Sequence, residues 1–303
     1  MGTPQFAVPI LDALIKNYQV VGVITQPDKK VGRKQILSIS PIKELAVQNK
    51  IKVWQPTQLK KNKEFITILK DLKPDVIVVT AYGYILPKEI LNIPKYGVLN
   101  VHSSLLPKYR GPSPIQAAIL NGDKVSGVTI MLVNQKMDEG AILAQKQADL
   151  DTDETFNTLH DKLSILGTHL LIDTLPKYLN NEIKPQPQDS KQVSYCKLIT
   201  KEDGKIDWQK SALEIERMVR AFDPWPGTWT IWNKKKLKIS EVQLVSDQND
   251  YQAGQVYLSQ KDLAIKTGQG SLVITQLQLE GKKVMSSQDF LNGYPEIVDS
   301  VLS

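Results

Sequence analysis

A chain of 303 residues with 41% hydrophobic and 23% charged positions has ordinary globular composition. That excludes a mainly disordered, collagen-like or disulfide-stapled protein and makes two domains the first expectation, at about 150 residues each. The net charge of +6 suits an anionic partner, nucleic acid among the candidates.

In chain order, residues 10–17 read as a helix after Pro9, and residues 19–25 (QVVGVIT), apolar and β-branched, as a buried strand. Strand-like runs recur at 52–54, 75–80 (DVIVVT) and 97–102 (GVLNVH), with helical patterns at 41–49 and 63–72 between them. Short apolar strands alternating with helices predict an α/β fold, a doubly wound and mostly parallel sheet covered on both faces. Ligands of such sheets bind beyond the carboxyl ends of the strands, here just after Thr25, Thr80 and Val101. Residues 127–133 and 141–145 are two further strand-like runs, joined by a hairpin loop at 134–140 that carries Asp138. The spacing of Phe156, Leu159, Leu163, Leu166, Leu170 and Leu171 predicts a long amphipathic helix over 153–180, capped by Thr152 or Asp153, which closes a first domain at 183. The polar, Pro-rich stretch 184–192 (KPQPQDSKQ) opens an exposed linker expected to run over 184–206. In the remaining 207–303, a helix at 212–222 leads through Pro224 and Pro226 into short strands at 229–232, 237–244, 254–258, 264–267 and 271–279. This pattern predicts a small antiparallel barrel.

The only cysteine, Cys196, excludes an internal disulfide and a thiolate-rich zinc cage, reads as a small filler and fits a reducing compartment. No stretch approaches the roughly 18 consecutive apolar residues of a spanning helix, and no basic-then-apolar leader opens the chain, so a cytoplasmic protein without membrane contact is expected. Of three histidines, His160 and His169 lie nine residues apart on the predicted helix, on opposite faces, and cannot share a metal. His102 differs: it ends a buried strand at the ligand-binding edge, where a neutral imidazole takes a proton near pH 7. Asn100, two residues earlier, faces the same side. An amide that donates to a developing oxyanion beside an imidazole that moves a proton suits attack on a carbonyl-like carbon. The same triplet also fits a purely structural strand end, and Asp138 fits either an orienter of the imidazole or a turn residue. There is no Walker-type loop and no complete G-x-G-x-x-G after a strand, which argues against nucleotide hydrolysis and dinucleotide oxidoreduction. Lys29, Lys30, Arg33 and Lys34 make the loop at 26–39 either a polyanion contact or a solvated segment.

The segment at 100–120, NVHSSLLPKYRGPSPIQAAIL, resembles the methionyl-tRNA formyltransferases. The resemblance runs through MGTPQFAVP at the start, TQPD at 25–28, AYGYILP at 81–87, GVTIM at 127–131, MDEG at 137–140, TLHDKL at 158–163 and RAFDPWPGTW at 220–229. It implies transfer of a formyl group from the co-substrate 10-formyltetrahydrofolate to the amino group of methionine on initiator tRNA, without a metal. It also implies that Asn100, His102 and Asp138 are catalytic. Ala81, Tyr82, Gly83, Ile85, Leu86 and Pro87, with Ser104, Leu105, Leu106 and Pro107, are implied to line the folate pocket. A flexible basic loop that enters the tRNA acceptor region maps onto 29–37, with Arg33 in its GR position. The second domain is implied to be an OB-fold-like barrel that contacts tRNA phosphates, in a chain expected to act as a monomer.

Residues 207–303 hold 11 basic and 12 acidic side chains, so the excess positive charge lies before them. A local face of Lys234, Lys235, Lys236 and Lys238 is either a phosphate contact or a solvated hairpin. The resemblance further implies an apolar strand directly ahead of the GTP turn. With only Met1 and Gly2 there, the sequence leads us to expect a start assigned too late or a truncated chain, because a missing central strand strands the backbone groups of its neighbours. A formyltransferase of sugar nucleotides and a catalytically idle RNA-binding protein are the alternatives; PWPGTW and the barrel favour tRNA over the first, the intact Asn100, His102 and Asp138 oppose the second.

Overall fold

A computed structural model describes residues 1–31, 36–245 and 250–303 of the chain. By its packing the chain divides into two units. One comprises Met1–Pro114, Val125–Leu150 and Leu159–Lys197; the other comprises Ile115–Lys124, Asp151–Thr158 and Leu198–Ser303.

The first unit alternates helices and short strands: α1 (Val8–Asn17), β1 (Val23–Ile24), a hairpin of β2 (Lys29–Val31) and β3 (Ile36–Ser38), α2 (Pro41–Gln48), β4 (Val53–Trp54), α3 (Lys63–Leu72), β5 (Ile77–Val79), α4 (Lys88–Leu91) and β6 (Val98–His102). The chain then runs through α5 (Pro114–Leu120), grouped from Ile115 with the second unit, and the first unit resumes with β7 (Val125–Leu132), β8 (Ile142–Asp149) and, from Leu159, the long α6 (Phe156–Leu179). Helix starts follow local chemistry: Ser40 accepts from the N–H of Lys43 ahead of Pro41 in α2, and Asn62 accepts from the N–H of Phe65 in α3. β1 with β4 and β5 with β6 are parallel pairs; β7 and β8 extend the second sheet antiparallel.

Met1 and Gly2 join these two sheets. The Gly2 N–H donates to the Ile24 carbonyl (3.1 Å), Gly2 bridges Thr80 in parallel, and the Thr80 N–H donates to the Met1 carbonyl (3.0 Å). The ends of β1, β5 and β6 therefore reach a common edge. The Met1 amine donates to the Val78 carbonyl (2.6 Å), and burial pushes its pKa down to about 5. Below it lies a cavity of about 310 Å³ whose lining includes Val21, Val23, Val76 and Val78 from the flanking segments. Pairing covers only Val23–Ile24 of the apolar run at 19–25, because a ladder extends no farther than its partners and β4 supplies two residues.

Buried side chains on both sides of β6 fix its orientation. A Cβ on Gly167 of α6 would lie 2.8 Å from Val101 Cγ1, so α6 covers the Val101 face, and Asn100 and His102 point the other way. Val98, Leu99, Val101 and His102 are buried while Asn100 is half-buried. The strand is thus anchored except where it presents its amide.

The second unit starts its helix α7 (Ala212–Phe222) with a capping box of Ser211 and Glu214. Strands β9 (Thr228–Trp232), β10 (Lys235–Val245), β11 (Val256–Ser259), β12 (Asp262–Lys266) and β13 (Ser271–Leu279) form one antiparallel sheet in the order β11-β12-β13-β10-β9, with β14 (Met285–Ser286) added to β13 and followed by α8 (Ser287–Gly293). Leu237, Ile239, Ile274, Leu277 and Phe290 are almost fully buried in this unit, each a position where truncation to alanine costs about 2–5 kcal/mol.

Candidate active site

At the end of β6, His102 is 6% exposed and its Nε2 lies 3.0 Å from the Tyr109 carbonyl oxygen. A carbonyl oxygen only accepts, so Nε2 carries the hydrogen, and in the neutral ring Nδ1 keeps the lone pair. Nδ1 faces Asp138 Oδ1 at 3.8 Å. The Asp138 carboxylate is held by the Gly111 N–H, which donates to Oδ2 (2.8 Å), and more loosely by Asn100 Nδ2, 3.5 Å from Oδ1. The three residues singled out from the sequence thus meet at one point. Asp138 adopts φ 53°, a left-handed conformation disfavoured for an L residue. Two residues on, a Cβ at Gly140 would come 1.6 Å from the Leu132 carbonyl oxygen, so the loop closes on β7 only with glycine there.

The loop after His102 is pinned to the sheet. Thr129 Oγ1 donates to the Ser104 carbonyl (2.6 Å) and accepts from the Leu106 N–H (3.1 Å), and Gln145 Nε2 donates to the Leu106 carbonyl (2.8 Å). Ser104 Oγ donates to the Lys108 carbonyl (2.6 Å), and Leu105 lies over Gly127, where a Cβ would meet Leu105 Cδ2 at 2.6 Å. The hydroxyl and carbonyl of Ser104 and both backbone groups of Leu106 are therefore engaged within the fold, and the Pro107 carbonyl accepts from the Ser194 N–H (3.2 Å). In the other half of the expected folate lining, Tyr82 and Leu86 turn into the core around Phe65, Ile90 and Val98, whereas Ala81, Gly83 and Ile85 stay exposed, Ile85 at 75%, and Pro87 is half-buried. The Tyr82 carbonyl accepts from Gln26 Nε2 (2.9 Å), and burial pushes its phenol up.

Residues 184–197 contribute what sequence patterning missed. Gln186 exchanges two backbone hydrogen bonds with Ile142, the Arg110 N–H donates to the Ser194 carbonyl (2.9 Å), and the Cys196 N–H donates to the Arg110 carbonyl (2.9 Å). Gln188 and Arg110 form a hydrogen-bonded cluster beneath Asp138. A polar, Pro-rich tract carries no periodic signal that would reveal such partners.

Cys196 Sγ accepts from the Ser113 N–H (3.4 Å), and burial pushes its thiol up, with Asp138 adding in the same direction. The thiolate is the reactive form. Alkylation by iodoacetamide at pH 8 is therefore expected to run at least several-fold slower in the native chain than in the denatured chain; equal rates would show the thiol to be as open in the fold as out of it.

Lys29 opens β2 and its Nζ donates to Gln26 Oε1 (2.6 Å). Of Lys30 only the backbone is described, and Arg33 and Lys34 lie outside the described residues. Asn233 and Lys234, at φ 44° and 61°, make the turn between β9 and β10, the type I′ geometry of tight hairpins. Lys234 and Lys235 are exposed at its tip. Lys236 Nζ stands 3.7 Å from the Trp229 ring centroid, and Lys238, opposite Trp229 in the ladder, shares that face. Among the described residues, no three His, Cys, Asp or Glu side chains converge as a metal cage, and no helix is long and apolar enough to cross a membrane.

Residues 1–175 match the family model described as formyl transferase, and residues 198–295 match the one described as formyl transferase, C-terminal domain. The methionyl-tRNA formyltransferase of Clostridium novyi (strain NT) is 43% identical over 303 residues, 100% of this chain and 98% of that protein. That of Caldanaerobacter subterraneus subsp. tengcongensis is 45% identical over 295 residues, 97% of this chain and 96% of that protein. Among solved structures, the N-formyltransferase from Helicobacter canadensis in complex with folinic acid and dTDP-3-aminofucose superposes with a TM-score of 0.65 at 23% identity, over 90% of this chain and 96% of that one. HypX from Aquifex aeolicus in complex with tetrahydrofolic acid gives 0.61 at 17% identity, over 91% of this chain; the chain spans 48% of HypX.

Proposed function

The chain belongs to the methionyl-tRNA formyltransferase family, and from that membership we propose that Asn100, His102 and Asp138 transfer the formyl group of 10-formyltetrahydrofolate to the amino group of methionyl initiator tRNA, for translation initiation. One observation carries the assignment of roles: the lone-pair nitrogen of His102 faces the Asp138 carboxylate at the end of β6, with the Asn100 amide on the same face. The methionyl amine attacks the formyl carbon and the carbonyl oxygen becomes an oxyanion, which accepts from Asn100 Nδ2. His102 Nδ1 takes the proton the amine sheds, and the nearby Asp138 carboxylate stabilises the imidazolium. As the bond from the formyl carbon to N10 breaks, the imidazolium returns a proton to N10, releasing tetrahydrofolate and formylmethionyl-tRNA. No step requires a metal.

The folate lies against the segments 81–87 and 104–107. Since the groups of Ser104 and Leu106 described above are already bonded internally, that segment contributes shape, and the exposed Ala81, Gly83 and Ile85 contribute surface. Residues 1–183 form the catalytic domain, 184–206 the connection, and 207–303 an OB-fold-like tRNA-binding domain. The enzyme works as a cytoplasmic monomer. Purified chain should formylate methionine-charged initiator tRNA with 10-formyltetrahydrofolate; no product, or formylation of an amino sugar nucleotide instead, would refute the assignment.

The tRNA contacts comprise Lys29, Lys30, Arg33 and Lys34 in the basic loop and Lys234, Lys235, Lys236 and Lys238 on the hairpin. Reversing Lys236 and Lys238 to glutamate should weaken tRNA binding at least tenfold near 0.1 M salt and flatten the slope of log K against log salt by about 2, as loss of two phosphate contacts requires. An unchanged slope would remove the hairpin from the interface.

A further inference from the structure

Every hydrogen-bonding position of the Gln188 side-chain amide is taken. Nε2 donates to the carbonyl oxygens of Asp138 (2.7 Å) and Gly140 (2.8 Å), and Oε1 accepts from Arg110 Nε (3.0 Å) and Nη2 (2.8 Å). Two donors and two lone pairs allow one orientation, because the reversed amide would set its NH2 against the guanidinium and its oxygen against two carbonyls. Arg110 is itself 6% exposed; its Nη1 lies 3.3 Å from Glu139 Oε1, and its backbone is paired with Ser194 and Cys196. The loop held in this way carries Asp138 in a left-handed conformation that an aspartate does not adopt unaided at every turn. Both sides of the active site, the 138–140 backbone and the 109–111 backbone, are thus tied to one strip of chain at 188–196.

We propose that Gln188 is a positioning residue: its amide, fixed by Arg110, holds the 138–140 backbone so that the Asp138 carboxylate meets His102 and Asn100. The catalytic consequence rests on the function proposed above, whereas the positioning rests on these hydrogen bonds alone.

The test uses the full chain with Gln188→Ala and Gln188→Glu, each also combined with Asp138→Ala. Gln188→Ala should lower kcat for formylation by about 10- to 100-fold, the effect of a small misplacement, with both KM values changed less than about twofold. Gln188→Glu keeps an acceptor for Arg110 but sets a carboxylate oxygen against the carbonyls of Asp138 and Gly140, so it should melt below the parent and lose at least as much kcat as the alanine variant. In the Asp138→Ala background neither change should lower kcat further, since residues acting through one another are non-additive. Equal losses in both backgrounds, or full activity of Gln188→Glu, would overturn the proposal. Amide exchange at Gly111, whose N–H donates to Asp138 Oδ2, reads the carboxylate position without turnover. Faster exchange in Gln188→Ala supports the positioning role and unchanged exchange overturns it, also if the parent chain forms no formylmethionyl-tRNA and the function itself fails.

Discussion

Substituting alanine for His102 is expected to lower kcat for formylation about 10³-fold, some 4 kcal/mol of transition-state stabilisation, while the chain stays folded. The geometry sets this size. The Tyr109 carbonyl fixes the tautomer and leaves Nδ1 as base, and Asp138 Oδ1 lies 3.8 Å from that nitrogen. Without the imidazole, the amine must lose its proton to water, and N10 must gain one from water as it leaves. The structural cost is smaller: the Tyr109 carbonyl loses the His102 donor while the weaker Cys196 Sγ contact at 3.7 Å remains, a loss of about 1–3 kcal/mol at most against a typical stability of about 5–15. Single-turnover formylation and a melting curve on the same preparation separate the two effects. Activity within tenfold of the parent would remove His102 from the chemistry.

How much of this was legible in the sequence depends on the range of the interactions involved. α3 and α7 match residues 63–72 and 212–222 because their caps, Asn62 and Ser211, and their apolar spacing are local. β6 was legible since a strand covered on both faces must be a nearly continuous apolar run, and period two then puts Asn100 beside His102. The ends of β1 were not, because apolar character at 19–25 says nothing of how many residues a partner offers. The antiparallel pairing of β7 with β6 was equally hidden, for strand direction is decided by the route of the intervening chain. Asp138 was legible as a loop residue, its left-handed backbone was not. Gln188 and Arg110 left no trace at all. Their hydrogen bonds join residues 78 positions apart, and a Pro-rich polar tract reads as solvated until those partners are in place.

Aspartate at position 100 should be more damaging than alanine there, although it is nearly isosteric with the native asparagine. Asn100 Nδ2 sits 3.5 Å from Asp138 Oδ1, a contact too long to bind it firmly, so the amide is free to turn its hydrogens to an oxyanion that exists only during the reaction. Removing such a donor costs about 10²- to 10³-fold in kcat, which is the loss expected for Asn100→Ala. In Asn100→Asp the donor becomes an acceptor that faces the developing oxyanion, and a second carboxylate stands against Asp138 with the Gly111 N–H already committed to Asp138 Oδ2. Like charges at this separation oppose each other, and the repulsion also pushes Asp138 away from His102. The expected order of kcat is therefore Asn, then Ala, then Asp, with Asp at least tenfold below Ala and KM for 10-formyltetrahydrofolate nearly constant across the three. Pre-steady-state formylation of methionyl-tRNA at saturating co-substrate measures it. If Asp equals or exceeds Ala, the amide at position 100 does not face the oxyanion, and the donor must be sought among the backbone N–H groups of the loop that follows His102.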